Sequence, residues 1–120
     1  MAKTVLIVDD SKTMQMLLKT TLNRIPMLNI KAADNGREAL EVLGRERVDL
    51  LVTDIDLEGV KLVEEVRSRK ALSQLPILVI TTSAEQAARG EGLKLGANAC
   101  VLKPVSGREI VAAATQLLKA

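Results

Sequence analysis

Three carboxylates, a hydroxyl and an ammonium recur at one kind of place in this chain: Asp9 with Asp10, Asp54, Thr81, and Lys103 followed by Pro104. Each closes or follows a short aliphatic run. The runs are Val5-Leu6-Ile7-Val8, Val48-Asp49-Leu50-Leu51-Val52-Thr53, Ile77-Leu78-Val79-Ile80 and Ala99-Cys100-Val101-Leu102. Runs apolar at nearly every position, rather than at every second one, predict parallel strands buried on both faces. In an open parallel sheet, ligands bind outside the carboxyl ends of the strands. A fold of that kind gathers all five groups into one crevice. Such a set can hold a divalent cation and a phosphoryl group.

The elements that must position them alternate from end to end. Strand one covers about residues 4–8. Ser11 then caps a helix whose inward residues are Met14, Leu17, Leu18 and Leu22, and which stops before Pro26. Residues 29–33 form a weak strand, interrupted by Lys31, that belongs at a sheet edge. Asp34-Asn35-Gly36 is a turn. A second helix turns Ala39, Leu40 and Leu43 inward and ends at Gly44. The third strand reaches Thr53, and a third helix over residues 60–69 buries Leu62, Val63 and Val66. The fourth strand is 77–81. A fourth helix runs from Ala84 to about Leu95, with Gly96 as its stop, and contains Gly90 and Gly92. Each of those two costs about 1 kcal/mol relative to alanine, which suits a helix with two arrangements or a close packing contact. The fifth strand is 99–102. The fifth helix begins after Ser106 and buries Ile110, Val111, Ala114, Leu117 and Leu118. Five such strand–helix units with short connections imply a doubly wound α/β sheet.

The 120 residues suit one domain, 1–120, with no linker and no attached output domain. The chain has no aromatic residue, so its core must be aliphatic and methionine-filled. A net charge of +2, with both signs interspersed, argues against a nucleic-acid partner. One cysteine forms no internal disulfide, which suits the cytoplasm. No leader and no 18-residue apolar stretch argues for a membrane. The absence of histidine removes imidazole-based catalysis and most zinc sites.

Three carboxylates at neighbouring strand ends repel, so either their pKa values rise or a cation joins them. Mg2+ is the natural cation: it takes carboxylate oxygens, keeps waters and shares phosphate oxygens.

The ordered set resembles the CheY-like receiver domain of two-component response regulators over about residues 3–118. The interval from Asp9 to Asp54 is 54 − 9 = 45 residues and from Thr81 to Lys103 is 103 − 81 = 22. Pro76, five before the threonine, and Gly96-Ala97, seven before the lysine, fit as well. The resemblance implies a flavodoxin-like sheet of order 2-1-3-4-5 with five helices. It implies that Asp54 is the phosphoacceptor and also belongs to the metal site, and that Asp10 ligates the metal directly, with Asp9 acting largely through water. The backbone carbonyl of Asp56 would complete the protein ligands. Lys103 and Thr81 would bind the phosphoryl oxygens, with the Lys103–Pro104 peptide cis and Thr81 moving as the switch. The implied partners are a histidine kinase or phosphotransfer protein and a downstream target on the helix 4–strand 5–helix 5 face.

Two departures from the family stand out. Cys100 occupies the position three before the lysine where receivers carry Tyr or Phe, so the aromatic half of the switch is missing and Cys100 reads as a small buried hydrophobe. The segment Asp54-Ile55-Asp56-Leu57-Glu58-Gly59 places a glycine five residues after the aspartate instead of eight, and the family's Met-Pro is absent. The loop bearing the metal-binding carbonyl is therefore about three residues short.

The leading reading is a stand-alone, phosphorylation-controlled signalling module, often chemotactic in this family, that modifies only itself. A degenerate receiver, acting as a phosphate-independent scaffold, draws support from the short loop and is opposed by the intact set of five charged and hydroxyl groups. A haloacid-dehalogenase-like phosphatase would use Asp54-Ile55-Asp56 as nucleophile and acid/base pair. That motif normally opens its fold, and this length leaves no room for a cap domain.

Overall fold

Buried β-branched and leucine runs build the sheet. The computed structural model describes residues 2–55, 59–82, 91–103 and 106–119. In chain order these form β1 (Lys3–Val8), α1 (Lys12–Leu22), β2 (Leu28–Ala33), α2 (Gly36–Arg45), β3 (Leu50–Asp54) and α3 (Gly59–Ser68). A 3-10 turn (Lys70–Leu72) follows, then β4 (Ile77–Thr81), α4 (Glu91–Lys94), β5 (Ala99–Leu102) and α5 (Gly107–Lys119). Among the described residues, four helices reach ten residues and α4 is a single turn. The rest of the expected fourth helix, Gly90 included, lies outside the described residues.

All strand pairs are parallel and the order is β2-β1-β3-β4-β5, as the family resemblance implied. Alternate side chains of the same strands feed two cores. Leu6, Val8, Leu51, Ile77 and Val79 pack with α2 and α3 residues Ala39, Leu43, Leu62, Val63 and Val66. Val5, Ile7, Leu50, Val52, Leu78 and Ile80 pack with Leu18 and Leu22 of α1 and Ile110, Ala114 and Leu118 of α5. This double burial is why the central strands read as unbroken apolar runs. β2 pairs only with β1 and buries Ala33 alone, as an edge strand interrupted by Lys31 should.

Several local expectations change. β3 begins at Leu50, because the Asp49 carboxylate accepts a bond from the Thr4 amide at 2.8 Å ahead of the strand proper. Leu17 is exposed (45 %) and Gln15 takes its place on the buried stripe with Leu18, Thr21 and Leu22. α2 passes through Gly44 to Arg45, and the Glu46 amide still bonds the Val42 carbonyl. On α5, Val111 and Leu117 are half-buried. The core is aliphatic but not methionine-filled: Met14 is half-buried, while Met16 and Met27 are each 70 % exposed. Gly96 does have a positive φ of 114°, which ends the α4 turn.

Arg67 ties α3 to the α4–β5 corner. Its guanidinium donates to the carbonyls of Gly96 (2.9 Å), Leu72 and Ser73 (3.3 Å each) and to Asn98 Oδ1 (3.0 Å). Asn98 Oδ1 in turn accepts from the Ile77 amide, at the start of β4.

Candidate functional site

The chain order reverses between β1 and β3, since β2 lies beyond one and β4 beyond the other. Asp9 and Asp10 follow β1 and Asp54 ends β3, so they meet at this switch point, outside the carboxyl ends of the strands. A cleft of about 550 Å³ opens there. Its walls are Val8, Asp9, Asp10, Thr53 and Asp54, with Asp34, Asn35 and Gly36 on the β2–α2 turn and Gly59 and Leu62 on α3.

The three carboxylates differ in setting. Asp9 is buried (5 % exposed), and its Oδ1 accepts a bond from the Ser11 amide at 2.9 Å. Burial pushes its pKa up; the Ser11 amide and Lys103 oppose the rise, and Asp54 and Asp10 add to it. Asp10 is exposed at the mouth of the cleft. Asp54 is half-buried and accepts a 2.5 Å charge-assisted bond on Oδ2 from Lys103 Nζ. The Lys103 ammonium therefore bonds Asp54 and also acts on Asp9.

Thr81, buried, ends β4 one position beyond the Asp54–Ile80 pairing. Its carbonyl accepts from the Lys103 amide at 2.7 Å, which ties the end of β4 to the lysine that reaches Asp54. Thr81 and Lys103 are not among the lining residues of the cleft; Lys103 joins it through Asp54. Cys100 is half-buried against the α2/α3 core, and burial raises its thiol pKa, so it packs as a small apolar residue. Asp56, and Pro104 with the geometry of the Lys103–Pro104 bond, lie outside the described residues.

A methyl group on Gly59 would overlap the Asp54 carbonyl oxygen, so the first turn of α3 sits directly on the backbone of the candidate phosphoacceptor. Only glycine permits that approach. Its spacing from Asp54 is visible in the sequence, whereas this contact arises only in the fold.

The donor set suits a hard cation, because it consists of oxygen ligands that need positive charge. Among the described residues no three carboxylates converge closely enough to cage an ion alone, so a bound cation would take further ligands from water. Mg2+ binds in that way, through one or two carboxylates plus waters.

Over residues 5–115 the sequence matches the family described as response regulator receiver domain. The chain belongs to the response regulator receiver family. It is 37% identical over 103 residues to a chemotaxis protein CheY homolog of Campylobacter jejuni, covering 82% of this chain and 79% of that one. Against the chemotaxis protein CheY of Pseudomonas aeruginosa it is 35% identical over 107 residues, covering 87% and 86%. The chemotaxis response regulator CheY4 of Vibrio cholerae superposes with a TM-score of 0.86 at 27% identity, over 98% of this chain and 99% of that chain. The receiver domain of the Francisella response regulator 1452 gives 0.84 at 28%, over 98% and 97%. Receivers are signalling modules rather than conventional enzymes. No helix among the described residues is long and apolar enough to cross a membrane.

Proposed function

We propose that this receiver takes a phosphoryl group on Asp54 from a histidine kinase or phosphotransfer protein, and thereby switches its affinity for a target. The observation that carries the reading is the Lys103–Asp54 pair at 2.5 Å beside a cleft walled by Asp9 and Asp10. A carboxylate needs no general base to attack phosphorus, which agrees with a chain lacking histidine. In the transfer, an Asp54 oxygen forms the new bond to phosphorus as the donor's phosphorus–nitrogen bond breaks. The departing imidazole keeps the electron pair and takes a proton from solvent.

Asp9 and Asp10 would hold Mg2+ with waters and the Asp56 carbonyl, and the ion supplies positive charge against the phosphoryl oxygens. Lys103 begins bonded to Asp54 and is placed to follow the charge onto the phosphoryl group. The Thr81 hydroxyl then takes a phosphoryl oxygen and draws the end of β4 inward, and the bonded Thr81 and Lys103 backbones carry this to β5. With Cys100 in place of a ring, the change is one of backbone and hydroxyl. Leu93 on α4 (50 % exposed) and Leu102 on β5 (39 % exposed) supply apolar surface on the α4–β5–α5 face for a target protein. A single-domain, chemotaxis-type role in the cytoplasm is the setting that agrees best with the CheY relatives.

Incubation with a small acyl phosphate and Mg2+ tests this. The parent should be labelled and Asp54→Asn should not; undiminished labelling of Asp54→Asn would reject the site. Steady turnover of phosphomonoesters would favour the phosphatase reading instead.

A further inference from the structure

α1 carries a polar side chain on its buried face. Gln15 lies on the same stripe as Leu18 and Leu22 and is 8 % exposed. A primary amide in that setting is costly unless bonded. Its Nε2 donates to the main-chain carbonyl of Asp9 at 2.6 Å and to Asp34 Oδ1 at 2.8 Å, with the Ala33 carbonyl at 3.4 Å.

The β1–β2 ladder ends at Val8 and Ala33, and the Asp9 amide adds a last bond to the Ala33 carbonyl at 3.2 Å. Gln15 then supplies, from a helix, the rung that the strands no longer make. The carbonyl it holds belongs to the peptide joining Asp9 to Asp10. Fixing that peptide plane fixes the directions in which both carboxylates leave the backbone. The other acceptor, Asp34, follows the neighbouring strand β2, lines the same cleft and is held from outside by Lys12 at 2.6 Å. Gln15 therefore ties together, from behind, two neighbouring segments that line the cleft.

We infer that Gln15 is a positioning residue: its amide sets the Asp9–Asp10 peptide so that both carboxylates face a divalent cation. This rests on the reading of Asp9 and Asp10 as cation ligands. Outer-shell partners of this kind cost about 10–100-fold in metal affinity when removed.

The test is Mg2+ titration followed by the backbone amides of Asp9, Asp10 and Asp54 in NMR spectra. Gln15→Met keeps length without a donor, and Gln15→Leu keeps bulk without one. Both should weaken Mg2+ binding about tenfold or more. Leu18→Ala is the control: it loosens the same helix without touching Asp9, and should lower stability while leaving the affinity of the folded protein unchanged. In the parent, the Gln15 side-chain amide resonances should shift along the same binding curve as Asp9 and Asp10, a readout that needs no variant to fold. Parent affinity in both Gln15 variants, or unresponsive Gln15 resonances in a parent that binds Mg2+, overturns the role of Gln15 alone. Weakening in Leu18→Ala equal to that in Gln15→Met does the same. A parent that binds no Mg2+ overturns the reading of Asp9 and Asp10 as well.

Discussion

Asp9 shows what the site demands of single residues. A carboxylate buried beside two others holds its proton more tightly in the folded chain than in the unfolded one. Its contribution is therefore fully present below the ordinary carboxylate pKa and is lost as pH rises through the raised folded value. Asp9→Asn keeps the acceptor for the Ser11 amide and removes the charge. In metal-free buffer at neutral pH it should be more stable than the parent by about 0.5–2 kcal/mol, a gain that shrinks on acidification. Urea unfolding across pH measures this. The same variant should bind Mg2+ more weakly, since its stability comes from discarding a ligand. Lys103 obeys a different logic. Its ammonium acts on Asp54 and on the phosphoryl group, so Lys103→Ala should fold and bind Mg2+ but show no phosphorylation-dependent spectral change. Unfolding of Lys103→Ala would instead mark the residue as structural.

At the level of elements, Gly59 seats the first turn of α3 against Asp54. Gly59→Ala sets a methyl group against the Asp54 carbonyl, so α3 must shift. Destabilisation of about 1–3 kcal/mol is expected, as for other overpacked positions, together with slower uptake of phosphate at Asp54. Urea midpoints and labelling rates check both. The strands were legible because double burial writes itself as continuous Val, Ile and Leu; the bounds of β4 and β5 follow from the sequence directly. The site was legible because its charged residues stand at the carboxyl ends of those runs. Helix faces were less so. Leu17 is apolar yet exposed, and Gln15 is polar yet buried, because the Asp9 carbonyl and Asp34 reward an amide there. A polar residue in register with Leu18 and Leu22 was the available signal. Gly44 carries no positive φ and lets α2 continue, whereas Gly96 stops its turn, and composition alone does not separate the two. The Arg67 clamp joins positions about thirty residues apart, beyond the reach of local pattern.

Across the whole molecule, a signal at Asp54 has to travel to the α4–β5–α5 face. The path begins at Asp54, passes to Lys103 and goes from Lys103 to the backbone of Thr81. Thr81→Ala leaves the carboxylates and lysine in place. It should still take up phosphate, while its α4 and β5 amides no longer shift as the parent's do; unchanged shifts would remove the hydroxyl as the coupling element. All of this depends on which oxygen receives the phosphoryl group. The tryptic peptide Val48–Lys61 contains Asp49, Asp54 and Asp56, so sequencing it separates the phosphoacceptor from the neighbouring carboxylates. The protein is incubated with acetyl phosphate, reduced with borohydride to convert aspartyl phosphate to homoserine, digested and sequenced by tandem mass spectrometry. Conversion at Asp54, present with Mg2+ and absent with EDTA, is the expected result. Conversion at Asp56, or none anywhere in folded protein with Mg2+ present, would contradict the assignment of Asp54 as the phosphoacceptor.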